Sequence, residues 1–452
     1  MTSNLGSLLS HCVTIGGVAA ATGRVFAEEL IAAAEYAQLP ATQLTGLGPG
    51  LWLLQEDALR REDAATRAQA WLLEAAPQLA SVRHVGALVA ATASAASMLT
   101  LLRDRREHAT LRKRSFGHAQ AETCRWSLCF DAHFPSKRER MLPFHSVHAA
   151  PELCIAVHGA LGGTFVDSFV ESAEEGARAC GPPSEATGAE ERPSNGDGSS
   201  KACVQLLLLQ LKGCVLLVRT SGEEASVLSR DDALRLPKWV GAWERREFSF
   251  SSALDPLVAL AALNLATLAH LSRGRPPSDD SPPPSLADAL CSLRVLDPCV
   301  GTGTILAAAA SLGCTRLAGA DVKPAFVAHT LSNLRGSGCV DSELDLCVHD
   351  ATDPLPQSLL RPELACSTLV VSNPPWGKNV GDTTDGAAIV RSITGQCAGA
   401  TFCWIANSRA MRALQEMREE VTIVRRVPFG AVELVVATAP CGESAEREQR
   451  PA

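Results

Sequence analysis

The chain has no CxxC pair among its sixteen cysteines, no GxxxxGK(S/T) loop, no positive net charge and no long run of leucine and phenylalanine. Each absence removes a class of protein. No charged start with an apolar core precedes the first predicted strand, so no secretory signal is read. The thiols are therefore expected to be reduced and mostly buried, with neither zinc nor disulfides. The missing triphosphate loop excludes a P-loop cradle. The uncharged run at residues 85–102 is nearly long enough to raise the question of a membrane span, yet it is built largely of alanine, serine and threonine. It predicts a packed helix of a soluble protein. Residues 1–27 carry a single arginine and no acid, but residues 13–15 already read as strand, so no organelle address is expected and a cytoplasmic location is. A formal net charge of −8 offers no overall attraction to a polyphosphate.

What is present points to a multi-domain enzyme, since 452 residues at 46% hydrophobic content exceed one hydrophobic core. Two stretches rich in Pro, Gly, Ser and acids, residues 181–200 and 272–285, read as insertions without assigned structure. Positive charge is local: Arg103, Arg105 and Arg106, then Arg112, Lys113 and Arg114, then Lys137, Arg138 and Arg140. Any contact with phosphates would rest on these clusters.

The most informative segment is Val370-Val371-Ser372-Asn373-Pro374-Pro375-Trp376-Gly377, an apolar strand that ends in Asn-Pro-Pro-aromatic. Two successive prolines fix φ and remove two backbone donors, which leaves the Asn373 side chain and the neighbouring carbonyls as acceptors under an aromatic ring. Asn373, Pro374, Pro375 and Trp376 are thus the candidate catalytic residues for a flat group bearing an NH2. Lys378 is a candidate phosphate contact.

Upstream, residues 294–306 (RVLDPCVGTGTIL) read as strand, glycine turn and the start of an alanine-rich helix. Gly301 and Gly303 allow a tight turn and close approach to a ligand, and the helix offers free N–H groups at its start. A second short strand, residues 317–322, ends at Asp321, where an acid meets a ribose diol in dinucleotide-type folds. A helix over residues 326–334, a strand ending His349-Asp350-Ala351 and the Asn-Pro-Pro-Trp strand complete an alternation that predicts a doubly wound α/β sheet. Residues 400–406 read as a fifth strand. Residues 421–426 and 431–437 read as a hairpin closed by Val427-Pro428-Phe429-Gly430.

In these ordered segments the chain resembles class I S-adenosylmethionine-dependent methyltransferases, and within them the THUMP-containing RNA guanine-N2 methylases. DPCVGTGTIL is similar to that family's cofactor loop, GADVKP at 319–324 to its ribose-binding acid, and HDATD at 349–353 to its adenine-contacting strand end. SNPPWGKN at 372–379 is similar to its catalytic loop, and residues 250–266 resemble its lead-in helix beneath the methionine end of the cofactor. The resemblance implies a Rossmann-like class I methyltransferase sheet at residues 240–440. An α+β N-terminal half would precede it, ferredoxin-like or helical over residues 1–110 and THUMP-like over residues 111–225. It implies S-adenosylmethionine as cofactor, bound by Asp297, Pro298, Gly301, Thr302, Gly303, Thr304, Asp321, Asp350 and Asn373, with Asp297 at the methionine end.

The N-terminal similarity rests on apolar patterns: residues 11–17 and 25–30 as an opening strand and helix, residues 124–130 as a THUMP strand, 144–146 with 153–165 as its helix, and 204–211 and 215–218 as closing strands. The implied substrate is RNA, transfer RNA first. The implied partner is a small zinc-binding activator subunit that pairs with an exposed apolar sheet edge, and no membrane is involved. Adenine N6 in nucleic acid and a glutamine side chain need the same pair of hydrogen-bond acceptors, and a catalytically silent RNA-binding scaffold is a further alternative.

Overall fold

A computed structural model describes residues 11–15, 20–38, 44–48, 51–54, 75, 79, 82–92, 95–116, 125–133, 151–161, 164–165, 203–211, 214–220, 238–250, 253–274, 284–337, 343–376 and 385–440. Two compact units share the chain: Met1–Val13, Leu53–Glu56 and His84–Arg235 form one, and Thr14–Trp52, Asp57–Arg83 and Leu236–Ala452 the other. The described elements begin with β1 (His11–Ile15), α1 (Ala20–Tyr36), β2 (Leu44–Gly48), β3 (Leu51–Leu54) and β4 (Val82–Thr92).

In the first unit β4 is followed by α2 (Ala95–Arg103), α3 (His108–Phe116), β5 (Arg125–His133), α4 (Pro151–Leu161), β6 (Thr164–Phe165), β7 (Cys203–Leu211) and β8 (Cys214–Thr220). Strand β8 pairs antiparallel with both β4 and β7, while β5 pairs parallel with β7 and with β6. The expected helix over residues 85–102 is corrected: residues 85–92 belong to β4, and α2 starts only at Ala95. Val82, Val85 and Val89 favour extended backbone, and β8 offers the hydrogen bonds that a lone alanine-rich run does not reveal. The predicted helix over 153–165 likewise stops at Leu161, and residues 164–165 pair with β5. Residues 144–146, 181–200, Lys137, Arg138 and Arg140 lie outside the described residues.

The second unit continues through α5 (Lys238–Glu244), α6 (Pro256–Gly274), α7 (Leu286–Ser292), β9 (Arg294–Asp297), α8 (Thr304–Ser311), β10 (Arg316–Asp321), α9 (Pro324–Gly336) and β11 (Glu343–Val348). It ends with α10 (Gln357–Leu360), β12 (Thr368–Ser372), α11 (Gly386–Gln396), β13 (Thr401–Ala406), α12 (Ser408–Glu416), β14 (Thr422–Phe429) and β15 (Val432–Thr438). Seven strands form one sheet in the order β11-β10-β9-β12-β13-β15-β14. The first five are parallel, and β15 inserts antiparallel between β13 and β14. This is the predicted doubly wound α/β sheet. The order reverses between β9 and β12, and a doubly wound sheet opens its ligand crevice at that switch point, beyond the carboxyl ends of the strands. All residues of β9, β12 and β13 are buried, as expected of strands covered on both faces.

Helix α6 starts where Asp255 Oδ1 accepts from the Leu257 N–H at 2.8 Å, with Pro256 in the first turn, where a missing donor costs nothing. Pro256–Arg273 is long and apolar enough to cross a membrane by composition, yet every residue from 258 to 268 is buried against the sheet and neighbouring helices. It is a core helix. The stretch expected at 272–285 to lack structure is ordered at both ends, and residues 275–283 lie outside the described residues. Ser272, Arg273 and Gly274 complete α6, with Arg273 Nη1 donating to the Gly399 carbonyl at 2.9 Å, and Ser285 N-caps α7.

The predicted hairpin is also corrected at its turn. Strand β14 runs on through Val427, Pro428 and Phe429, and the chain reverses at Gly430, φ +63°, and Ala431. Pro428 is tolerated because β14 is the sheet edge, where its absent N–H breaks no ladder. Against this end of the sheet packs α1. Its fully buried Glu29 accepts from Asn264 Nδ2 of α6 at 2.7 Å, and Glu28 and Glu35 both pair with Arg425 of β14, the first at 2.6 Å.

Candidate active site

Strand β9 delivers Asp297 to the carboxyl end of the sheet, and the chain must then turn sharply to enter α8. Gly301 at φ +53° and Gly303 at φ +89° make that turn, in a backbone region that side chains with a β-carbon rarely adopt. Neighbouring groups lock the turn in place. Gly301 N–H donates to Asp321 Oδ2 at 3.1 Å, Thr330 Oγ1 of α9 donates to the Gly301 carbonyl at 3.0 Å, and Asn333 Nδ2 donates to the Thr302 carbonyl at 3.0 Å. Trp243 Nε1 of α5 donates to Thr304 Oγ1 at 3.3 Å. Gly319 in β10 is as necessary, because a β-carbon there would lie 2.2 Å from Val300 Cγ1.

A cavity of about 470 Å³ opens over this turn. Of the sequence-predicted residues, Asp297, Pro298, Gly301, Thr302, Thr304, Asp321, Asp350, Asn373, Pro374, Pro375 and Trp376 line it. Gly303 does not line it. It sits at the start of α8, where a β-carbon would meet Thr330 Cγ2 at 2.9 Å, so its task is to let the turn close. Gly377 and Lys378 lie outside the described residues. Residues given no site role from the sequence also line the wall: Phe250, whose ring meets Phe326 edge to face at 4.7 Å, Val322, Cys299 and His349, all inside segments singled out in the sequence, and Ile389, outside them. Only the folded sheet collects them, although His349 adjoins the flagged Asp350.

The three carboxylates differ. Asp297 is 2% exposed, and its Oδ1 accepts from Ser372 Oγ at 2.7 Å and from the Cys299 N–H at 3.0 Å. Burial pushes its pKa up to about 7, with Asp321 adding repulsion and the two hydrogen bonds opposing. Asp321 is also held above its ordinary value by burial, while its two oxygens accept from the Lys323 and Gly301 N–H groups. Asp350 is held below the ordinary value because Oδ1 accepts from the Thr352 N–H and hydroxyl. Burial raises the Cys299 thiol well above its ordinary value, so it is no nucleophile here.

Three polar atoms on this wall are buried without a hydrogen-bond partner among the described residues: Asn373 Oδ1, Trp376 Nε1 and His349 Nε2. Buried polar atoms are nearly always paired, and of the exceptions among the described residues these three adjoin the cavity while others lie away from it. The site can accept from an amine at Asn373, bind a diol at Asp321, and enclose flat apolar rings between Phe250, Val322 and Trp376.

At the two sheet edges the exposed large hydrophobic side chains among the described residues are Val348 on β11 and Val424 on β14. Two isolated valines do not form the apolar edge expected for an activator subunit.

No protein-family model matches the chain, and no curated protein matches it in sequence. Among solved structures it is similar to TrmN from Thermus thermophilus, at 16% identity and a TM-score of 0.43, covering 95% of this chain and 99% of that one. It is similar to a predicted N6-adenine-specific DNA methylase from Listeria monocytogenes, at 14% identity and a TM-score of 0.41, over 96% and 97% of the two chains. It is also similar to SMU.472, assigned as a methyltransferase and complexed with SAH, at 12% identity and a TM-score of 0.42, over 96% and 99%.

Proposed function

We propose that the chain is an S-adenosylmethionine-dependent methyltransferase acting on an exocyclic base amine in RNA, guanine N2 of transfer RNA first. Residues 240–440 would be the methylase domain and residues 111–225 a THUMP-type RNA-binding module, preceded by an N-terminal region over residues 1–110. The observation that carries the reading is Asn373 Oδ1, a buried acceptor without a partner at the end of a central strand, beside two residues that have no N–H. An acceptor left unpaired costs about 1–3 kcal/mol, which an amine donor would remove.

The wall fits the cofactor. Asp321 would accept from a ribose diol and Asp350 Oδ2 from an adenine amine, and Asp297, Pro298, Gly301, Thr302 and Thr304 would hold the methionine end, with Gly303 shaping the turn. When bound, S-adenosylmethionine supplies an electrophilic methyl carried on sulfur.

The chain's own work is positioning, the larger part of catalysis for such a transfer. Asn373 Oδ1 and the Pro374 carbonyl accept from the two N–H bonds of the amine, which turns its lone pair out of conjugation. No strong base would be needed: a nitrogen that takes the methyl as the methyl–sulfur bond breaks is acidic enough to give its proton to water. Trp376 stacks on the base, which must leave any helix to enter the cavity. Val322, Phe250 and Phe326 add apolar surface to the cavity wall. Support for a polyanionic substrate comes from Arg103, Arg105, Arg106 and Lys113 on α2, α3 and the segment between them, all of them exposed.

The test is to incubate the purified chain with labelled S-adenosylmethionine and unmodified transfer RNA, with and without a small zinc-binding activator, and to identify the methylated nucleoside. N2-methylguanosine that disappears in Asn373→Ala is expected. Label on adenosine or on a protein glutamine would overturn the substrate assignment while keeping the chemistry. Cofactor binding with no transfer to any acceptor would favour the silent scaffold.

A further inference from the structure

Three carboxylates, Asp297, Asp321 and Asp350, line one cavity, and the one lysine among the described residues of its wall, Lys323, holds its Nζ 5.2 Å from the centre of the Phe326 ring. Asp297 is the most enclosed of the three. Its Oδ1 is occupied by Ser372 and by the Cys299 N–H, and no described group donates to Oδ2. The described groups that act on it are Asp321 at the end of β10, the Cys299 N–H on its own loop and the Ser372 hydroxyl of β12, while His349 and Asp350 beyond β11 line the same cavity. None of these is a fixed cation. A carboxylate walled off from water with a second acid beside it holds its proton until something positive arrives.

We propose that Asp297 trades a proton for the positive charge of the ligand: the empty site keeps the carboxylic acid in a large share of molecules, and a cationic ligand drives that proton into solvent. The inference rests on the S-adenosylmethionine reading of the cavity, because that molecule carries its ammonium and sulfonium charges at one end. The O–H bond of Asp297 breaks, the proton passes to water or buffer, and nothing is oxidised or reduced. Cofactor affinity therefore falls as pH drops through the neutral range and levels off above it. Ser372 is the positioning residue: its hydroxyl stabilises the ionised form and so sets how much of the proton is held.

The test is calorimetry of the full chain with S-adenosylmethionine alone, at pH 7 in phosphate and in Tris, whose ionisation enthalpies differ widely. The dependence of the heat on buffer gives the protons released. With Asp297 titrating at about 7, release of about half a proton is expected at pH 7, fading towards zero by pH 9. Asp297→Asn should bind without release, and Ser372→Ala should release more than the natural chain, since it loses the hydrogen bond that favours the anion. The second variant keeps the test open if the first folds poorly. Heats independent of buffer, or equal release from Asp297→Asn, would overturn the proposal and leave the cofactor reading intact. Failure to bind S-adenosylmethionine at all would overturn both.

Discussion

A β-carbon on Gly386 would stand 2.7 Å from the carbonyl oxygen of Pro375. Helix α11 begins at this glycine, N-capped by Asp385, whose Oδ1 accepts from the Ala387 N–H at 3.0 Å. The back of the Asn-Pro-Pro-Trp segment thus rests directly on the first turn of a helix. The placement of the Pro374-Pro375 backbone, next to Asn373, depends on a later residue having no side chain.

Gly386→Ala should therefore act on catalysis. Backbone has to move to relieve the contact, at a cost of about 1–3 kcal/mol, and the segment that moves carries Asn373 and Trp376. Methyl transfer is expected to fall at least tenfold, with cofactor affinity and far-ultraviolet dichroism little changed. A turnover number equal to that of the natural chain would show that the segment yields without consequence.

Asp297→Asn should stabilise the ligand-free chain in a pH-dependent way. Asp297 is raised to about 7 in the fold and titrates near 4 in an unfolded chain. Its contribution is thus fully present below about pH 4 and is lost as pH rises through about 7. Asparagine is neutral throughout and still accepts from Ser372. The variant's advantage over the natural chain should widen from pH 5 to pH 8, to as much as a few kcal/mol. Urea unfolding across that range checks it, and a constant difference would argue against a buried carboxylate.

Removing Asp321 should loosen the glycine turn as well as the proposed ribose contact. Its carboxylate accepts from the Gly301 and Lys323 N–H groups at 3.1 and 3.0 Å, and each donor left unpaired costs about 1–3 kcal/mol. In Asp321→Ala the dissociation constant for S-adenosylmethionine is expected to rise at least tenfold, while affinity for RNA stays within twofold. Fluorescence titration with each ligand separates the two effects.

Arg425→Ala should release α1 without touching the cavity. The Arg425 pairs with Glu28 and Glu35 are partly exposed, so each contributes up to about 1 kcal/mol. Amide hydrogen exchange within Ala20–Tyr36 is expected to quicken, with cofactor binding unchanged. If exchange there keeps its natural rate, the apolar contacts of α1 alone hold it.

Much of the sheet and of the candidate site was legible because the chemistry sits in short segments at strand ends. Asp297, Asp321 and Ser372 are the last residues of β9, β10 and β12, and a glycine turn or a Pro-Pro pair announces such an end locally. The misreadings arose where a local pattern depends on what lies beside it. Pro428 reads as a turn until β14 is known to be an edge, and residues 85–92 read as helix until β8 supplies the pairing. The need for glycine at Gly319 and Gly386 was not legible, because what forbids a side chain there comes from Val300 and from Pro375.

The sequence by itself determined the alternation of strands and helices, the two sharp turns and the kinds of group at their ends, since these follow from backbone restrictions among neighbouring residues. Only the tertiary structure decided that Asn373 Oδ1 is buried without a partner, that Asp297 is sealed beside Asp321, and that α1 docks on β14 through Arg425. Pairing, burial and repulsion are set by atoms that segments distant in sequence bring together.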